Sequence, residues 1–308
     1  MEGRPSVKMF FSTIFVVCFS VVTYSKEAKL DTALIQSLSG CKGTWNAKEG
    51  IFKVTSPRND VSISVDGFVM PPFMGLTSWA AFSDEGKSKA MVMGDLVLFQ
   101  DEVNPVMSAL LDNGLQVTAL HNHFFYDDPK VFFMHITADD SLTILARGVG
   151  KAFETIKDIR KSHPKISLGF EGQKISGPSN ITAKTIESIF DIPSDKKDGM
   201  VKVSIGRMTR MPCGCEAGNG MGVNTWAAFA GTDENALVDG DFAVKEAELR
   251  NVLKSLRSSS INIVAIHSHM IQEEPRILFL HYWGKGNASE LAKAVKAALN
   301  FTKTDSQK

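Results

Sequence analysis

Six of the seven histidines in this 308-residue chain form two sets of three with the same internal spacing: His121, His123 and His135, then His267, His269 and His281. A neutral imidazole offers one lone-pair nitrogen to a cation. Three imidazoles with a fourth position open are the donor set of water-activating zinc, and imidazole also suits copper, iron and nickel. Side chains two residues apart on a strand face the same way. If the chain turns symmetrically about Asp128, His121 comes opposite His135, and a turn about Glu274 brings His267 opposite His281. Opposed side chains on antiparallel strands lie about 5 Å apart and diagonal ones about 7–8 Å, so three imidazoles meet over one patch of sheet. This predicts six ligands for a divalent transition metal, zinc or copper. The geometry depends on register, because a one-residue bulge in the loop 125–130 would turn His135 to the other face. The competing reading is a polar face of histidines, bonded to one another and to acidic neighbours, that titrates between about pH 5 and 7 without an ion.

Carboxylates recur in step with the histidines. Glu102 and Glu248 fall at predicted helix starts, where a negative charge complements the helix dipole. Their alternative role is general base toward a metal-bound water. Asp95 and Asp241 each follow a glycine within a predicted strand, which reads as a bulge or turn. They are also the carboxylates best placed to orient a histidine from the second shell.

The elements that position these groups are written twice. The octet at 75–82, GLTSWAAF, returns at 222–229 as GVNTWAAF, with five of eight residues identical. A shift of 146 residues then superposes 11 of the 42 residues from 94 to 135 on their counterparts, the three histidines included. Fixed-period self-similarity of this kind marks a tandem duplication. Each copy reads as strands at 61–65, 77–82 and 90–99 and an amphipathic helix at 102–113 ended by Gly114, then a hairpin of 115–124 with 131–137. A closing helix spans 141–157 in the first copy and 288–299 in the second. Hairpins interrupted by helices favour an antiparallel sheet with helices on one face, so the fold class is α+β, twice. The division is 26–162 and 163–308, with Lys161, Ser162, His163 and Pro164 breaking the helical pattern between them. Trp79 and Trp226 read as core residues of equivalent strands, and the glycine-rich stretch 214–222 as a flexible surface loop without the Lys-Ser/Thr of a phosphate loop.

Residues 1–25 carry Arg4 and Lys8, then an apolar run at 9–22 and the small Ser25, the pattern of a secretory signal peptide. The run is short for a membrane span, so no span is expected after cleavage. Val16 and Val17 before Cys18 give little support to a lipid anchor. The expected location is the periplasm or cell envelope. There are 34 basic and 34 acidic residues, which leaves no basic face for nucleic acid or anionic lipid. The three cysteines beyond residue 25 are Cys41, Cys213 and Cys215, an odd number read as incidental thiols or, for the Cys-x-Cys pair beside Met208, Met211 and Met221, as soft-metal ligands.

The stretch from Gly94-Asp95 through Asp101-Glu102-Val103-Asn104-Pro105-Val106 to Ala119-Leu120-His121-Asn122-His123 resembles the LppY/LpqO family of exported bacterial proteins. The second copy matches more loosely, with Ala265-Ile266-His267-Ser268-His269 and no Asn-Pro at the helix start. The resemblance implies an envelope location and a doubled domain, and no activity. Three functions remain open: a metal-binding envelope protein, a metal-dependent hydrolase, or a metal-free binding or structural module for a small ligand or an envelope partner. No nucleophile triad, nucleotide-binding loop or cofactor fingerprint is present.

Overall fold

The computed structural model describes residues 30–86, 89–170, 174–175 and 177–302, so the signal-peptide reading lies outside the described residues. In the first half, α1 (Thr32–Ser39) precedes β1 (Gly43–Asn46), β2 (Ile51–Pro57), β3 (Thr77–Gly86) and β4 (Lys89–Phe99). Then come α2 (Val103–Asp112), β5 (Gln116–His121), β6 (Val131–Asp140) and α3 (Leu142–Ser162). The second half repeats the order with α4 (Ala183–Phe190), β7 (Asp195–Lys197), β8 (Met200–Gly206), β9 (Asn224–Gly231) and β10 (Ala236–Lys245). It ends with α5 (Glu246–Ser258), β11 (Asn262–His267), β12 (Ile277–Gly286) and α6 (Ala288–Leu299).

All twelve strands join one antiparallel sheet in the order β1-β2-β3-β4-β6-β5-β11-β12-β10-β9-β8-β7. The copies therefore meet edge to edge, at the pair Leu120 and Ile266, instead of forming two separate sheets. Alternation decides which face is covered. In β4, Ala90, Val92, Leu96 and Leu98 are buried on one side, with Val106, Leu110, Val149 and Phe153 of the helices in the same core. Leu120 and Ile266 belong to that core, as do Leu253 and Leu256 of α5. Helices α2 and α5 touch across the seam, so one apolar layer runs through both halves. The opposite face carries only two small clusters, one around Phe99, Val131 and Phe133 and one around Ala243, Ile277 and Phe279.

Two local expectations are corrected. The segment 61–65 contributes only Ser64–Val65, which pairs with Phe68–Val69 and Asp127–Asp128 in a three-stranded side sheet. The glycine-rich stretch is not a plain loop: Thr209–Arg210 pairs with Glu216–Ala217, and a 3-10 turn spans Asn219–Met221. Cys213 and Cys215 are exposed, and Cys41 is half-buried.

Gly94 and Gly240 mark no bulge, because β4 and β10 pass through them in unbroken register with both neighbours. They instead leave room on the helix side. A methyl on Gly240 would lie 2.1 Å from the Tyr282 hydroxyl oxygen and 2.4 Å from the Trp226 carbonyl oxygen. That hydroxyl donates to the Trp226 carbonyl at 2.9 Å and has nowhere to retreat. Gly240→Ala is expected to cost about 1–3 kcal/mol by overpacking, read as a lower urea midpoint.

Candidate metal centre

A matched bulge in each half aims the histidines. Val117 pairs with Ile136 and Ala119 with His135, so Thr118 is the extra residue; in the second half Val264 is extra between Ile263 and Ala265. Val117 and Leu120 both face the helices, as do Ile263 and Ile266. Uninterrupted alternation from Val117 would send His121 under the helices. The added residue reverses the parity and puts His121 on the helix-free face with His135, the re-aiming that bulges perform.

The pairing itself differs from a symmetric turn by two residues. His121 faces Phe133 and Ala119 faces His135, while His267 faces Phe279 and Ala265 faces His281. A slip of two preserves the face, so the three histidines of each half still converge, on a diagonal. The rings of His121 and His135 are 5.1 Å apart and 14° from parallel, and those of His267 and His281 are 5.0 Å apart and 12° from parallel. His123 stacks on Phe133 at 3.3 Å and His269 on Phe279 at 3.5 Å. The Nε2 atoms of His121 and His123 are 3.2 Å apart, and those of His267 and His269 are 3.0 Å apart.

The aspartates sit beside these rings. Asp95 is the cross-strand partner of His135, and Asp241 of His281. In the second half one ligand atom each from Asp241, His267 and His269 lies within 4.8 Å of the others, with Asp241 Oδ2 3.8 Å from His269 Nε2. The structure thus brings Asp241 into reach of a cation that His267 and His269 would share, closer than the orienting role predicted for it. Asp95 Oδ1, Asp241 Oδ1 and His267 Nδ1 are buried without a hydrogen-bond partner. Native proteins leave few such atoms unsatisfied.

The electrostatics of both clusters are compatible with a cation. Burial first, and then neighbouring imidazoles, hold His121, His123, His267 and His269 below the usual histidine range. Burial raises the Asp95 carboxyl against the pull of His135 and His121, and pushes Asp241 up to about 6 against that of His281. Imidazoles held toward the neutral form beside a buried carboxylate offer donor atoms that could hold a cation.

Glu102 and Glu248 are not brought to the histidines. Glu102, fully buried, accepts from Arg58 Nη1 at 2.6 Å, Arg58 Nη2 at 2.9 Å and the Phe99 N–H at 2.9 Å, and pairs with Arg160. Glu248 accepts from Arg207 through both oxygens and from the Lys245 N–H. Carboxylate oxygens committed to guanidinium and backbone donors do not take a proton from a metal-bound water, so the general-base expectation gives way to a structural role. Arg58 and Arg207, which the sequence reading missed, also donate to the Val97 and Ala243 carbonyls and tie each helix start to its strand. Trp79 and Trp226 are corrected as well. They are half-buried on the helix-free face opposite Asp95 and Asp241, each under a lysine ammonium 4.2 Å from the ring, Lys53 and Lys202.

Both clusters share one face. One register step either side of the Leu120–Ile266 pair sets His121 beside Ala265 and His267 beside Ala119. Two alanines are thus the floor between the histidine sets. Among the described residues no helix is long and apolar enough to cross a membrane. No curated protein and no solved structure matches the chain. The family model of the Domain of Unknown Function (DUF1259) matches it twice, over residues 33–155 and 184–301. With more than half of its length matched, and each match carrying one histidine set, the chain belongs to the DUF1259 family as a tandem duplicate.

Proposed function

We propose that this protein is an exported metal-binding protein of the cell envelope, with one transition-metal centre in each half. The ligands are His121, His123 and His135 in the first, and His267, His269, His281 and Asp241 in the second; Asp95 supports the first. The observation that carries this reading is the convergence of imidazole nitrogens beside a buried, unpartnered carboxylate oxygen in both halves and on one face, joined in the second half by the unpartnered His267 Nδ1. The donor set of imidazole with one carboxylate suits zinc or copper(II). The halves, 26–162 and 163–308, are read as pseudo-two-fold mates, supported by the pairing of Leu120 with Ile266, its own counterpart 146 residues on. Export rests on residues 1–25, and kinship with the LppY/LpqO proteins on the motif around His121.

The test is elemental analysis of untagged protein purified without chelators. Two equivalents of one metal per chain, retained or taken up on addition, are expected; no metal in either condition would overturn the reading. Affinity is also expected to depend on pH with a definite sign. Below pH 6 the Asp241 carboxyl holds a proton that the metal must displace, while burial and neighbouring imidazoles lower the range in which His267 and His269 take one up. Affinity of the second centre should therefore be level above about pH 7 and fall about tenfold by pH 5. Competition titration with a chromogenic chelator at both pH values measures it.

A further inference from the structure

The helix-bearing end of the seam holds a second site of different chemistry. Where the start of α2 meets the end of α5, the start of β11 and the end of β12, a cavity of about 470 Å³ is lined by both halves, with Asp101 on one side and Arg257, Asn262, Trp283 and Lys285 on the other. Its size falls within the range of small-molecule sites. Arg257 is mostly buried, yet its hydrogen-bond partners are all neutral: Ser108 Oγ at 3.1 Å, the Ile261 carbonyl at 2.9 Å and Asn262 Oδ1 at 3.0 Å. Among the described residues neither Arg257 nor Lys285 has an acidic partner, in contrast to Arg58 and Arg160, which are paired. A buried guanidinium without a counter-charge is costly.

Two of the lining residues also carry a polar atom that lacks a partner and lies below the accessible surface. Trp283 Nε1 and Asp101 Oδ1 are buried without a hydrogen bond. Asp101 Oδ2 is already committed to Arg160 and the Ser167 N–H. The unmet needs are thus an anion for Arg257 and Lys285, an acceptor for the indole N–H, and a hydroxyl-type donor for Asp101. The duplication does not explain this set. At the offset of 146, Arg257, Trp283 and Lys285 correspond to Leu111, Thr137 and Asp139, so the first half has no equivalent.

We propose that this cavity binds a small hydroxylated organic anion, a hydroxycarboxylate or a sugar phosphate. The anionic group lies against Arg257 and Lys285, and side-chain turns of Trp283 and Asp101 bring Nε1 to a ligand oxygen and Oδ1 to a ligand hydroxyl. The site is independent of the histidine centres.

Calorimetric titration with tartrate and glucose 6-phosphate, beside inorganic phosphate and glucose, tests it, with Trp283 fluorescence as a second readout. At least one hydroxylated anion should bind, tenfold or more tightly than phosphate or glucose. Lys285→Met and Trp283→Phe should each weaken it several-fold without lowering the thermal midpoint. Arg257→Gln should weaken it most, but it also releases Ile261 and Asn262, so the first two variants decide if it fails to fold. Binding should survive chelation and the His267→Ala/His269→Ala change, which separates this site from the metal reading. No binding at millimolar concentration, binding indifferent to Lys285 and Trp283, or equal binding of bare phosphate would each overturn the proposal.

Discussion

His267→Ala/His269→Ala is expected to remove one equivalent of bound metal and leave the other, and His121→Ala/His123→Ala to do the reverse. Each pair supplies the two Nε2 atoms that stand 3.0 Å and 3.2 Å apart and offer their lone pairs to one position. Losing an outer-shell partner typically costs 10–100-fold in metal affinity, and losing two direct donors costs more than about 100-fold. The aspartates should separate the centres. Asp241 lies among the ligand atoms, so Asp241→Asn should weaken the second centre more than Asp95→Asn weakens the first. Elemental analysis and competition titration of the four variants read this directly. Metal retained at full stoichiometry in both double variants would remove the histidines as ligands. These histidines lie on the helix-free face, with His123 and His269 exposed, so little change in folding is expected.

Glu102→Ala is expected to cost about 3–5 kcal/mol while leaving metal content unchanged. The Glu102 side chain is wholly buried and that of Arg58 is 3% exposed. Removing the carboxylate takes from Arg58 and Arg160 the partner they share, one of three carboxylates around the two buried guanidinium groups, and leaves Asp60 and Asp101. It also frees the Phe99 N–H at the helix start. Urea unfolding measures the loss, and the metal assay run on the same sample separates the two roles. Unchanged stability with lost metal would restore Glu102 to the chemistry. Asp60, which also pairs with Arg58, keeps part of the charge balance, so Arg58→Ala should be no milder than Glu102→Ala.

Much of this was legible in the residues. The duplication, the order of elements, the antiparallel class and the closing helix at 288–299 follow from self-similarity and periodicity, because core burial imposes a period of two on strands and 3.6 on helices. That His121 and His123, and likewise His267 and His269, share a face was also legible in their two-residue spacing, whereas the arrival of His135 and His281 on that face depended on register. A trace of the bulge is present in the first half: Val117 and Leu120 are apolar three apart in a strand that otherwise alternates. Spacing of that kind is easily taken for noise without coordinates.

Tertiary structure decided the rest. The register of the histidine hairpin came out two residues from the symmetric one, with Phe133 in place of His135 opposite His121 and with His123 stacked on Phe133. Whether Glu102 is a base or an anchor depended on Arg58 and Arg160, 44 and 58 residues away, and only the fold brings them to it. The merging of two sheets into one was settled by an edge contact between Leu120 and Ile266 that no local pattern encodes. Local sequence determines which way a side chain points from its own strand; what stands opposite it is a long-range pairing, fixed when edges and cores from distant segments meet.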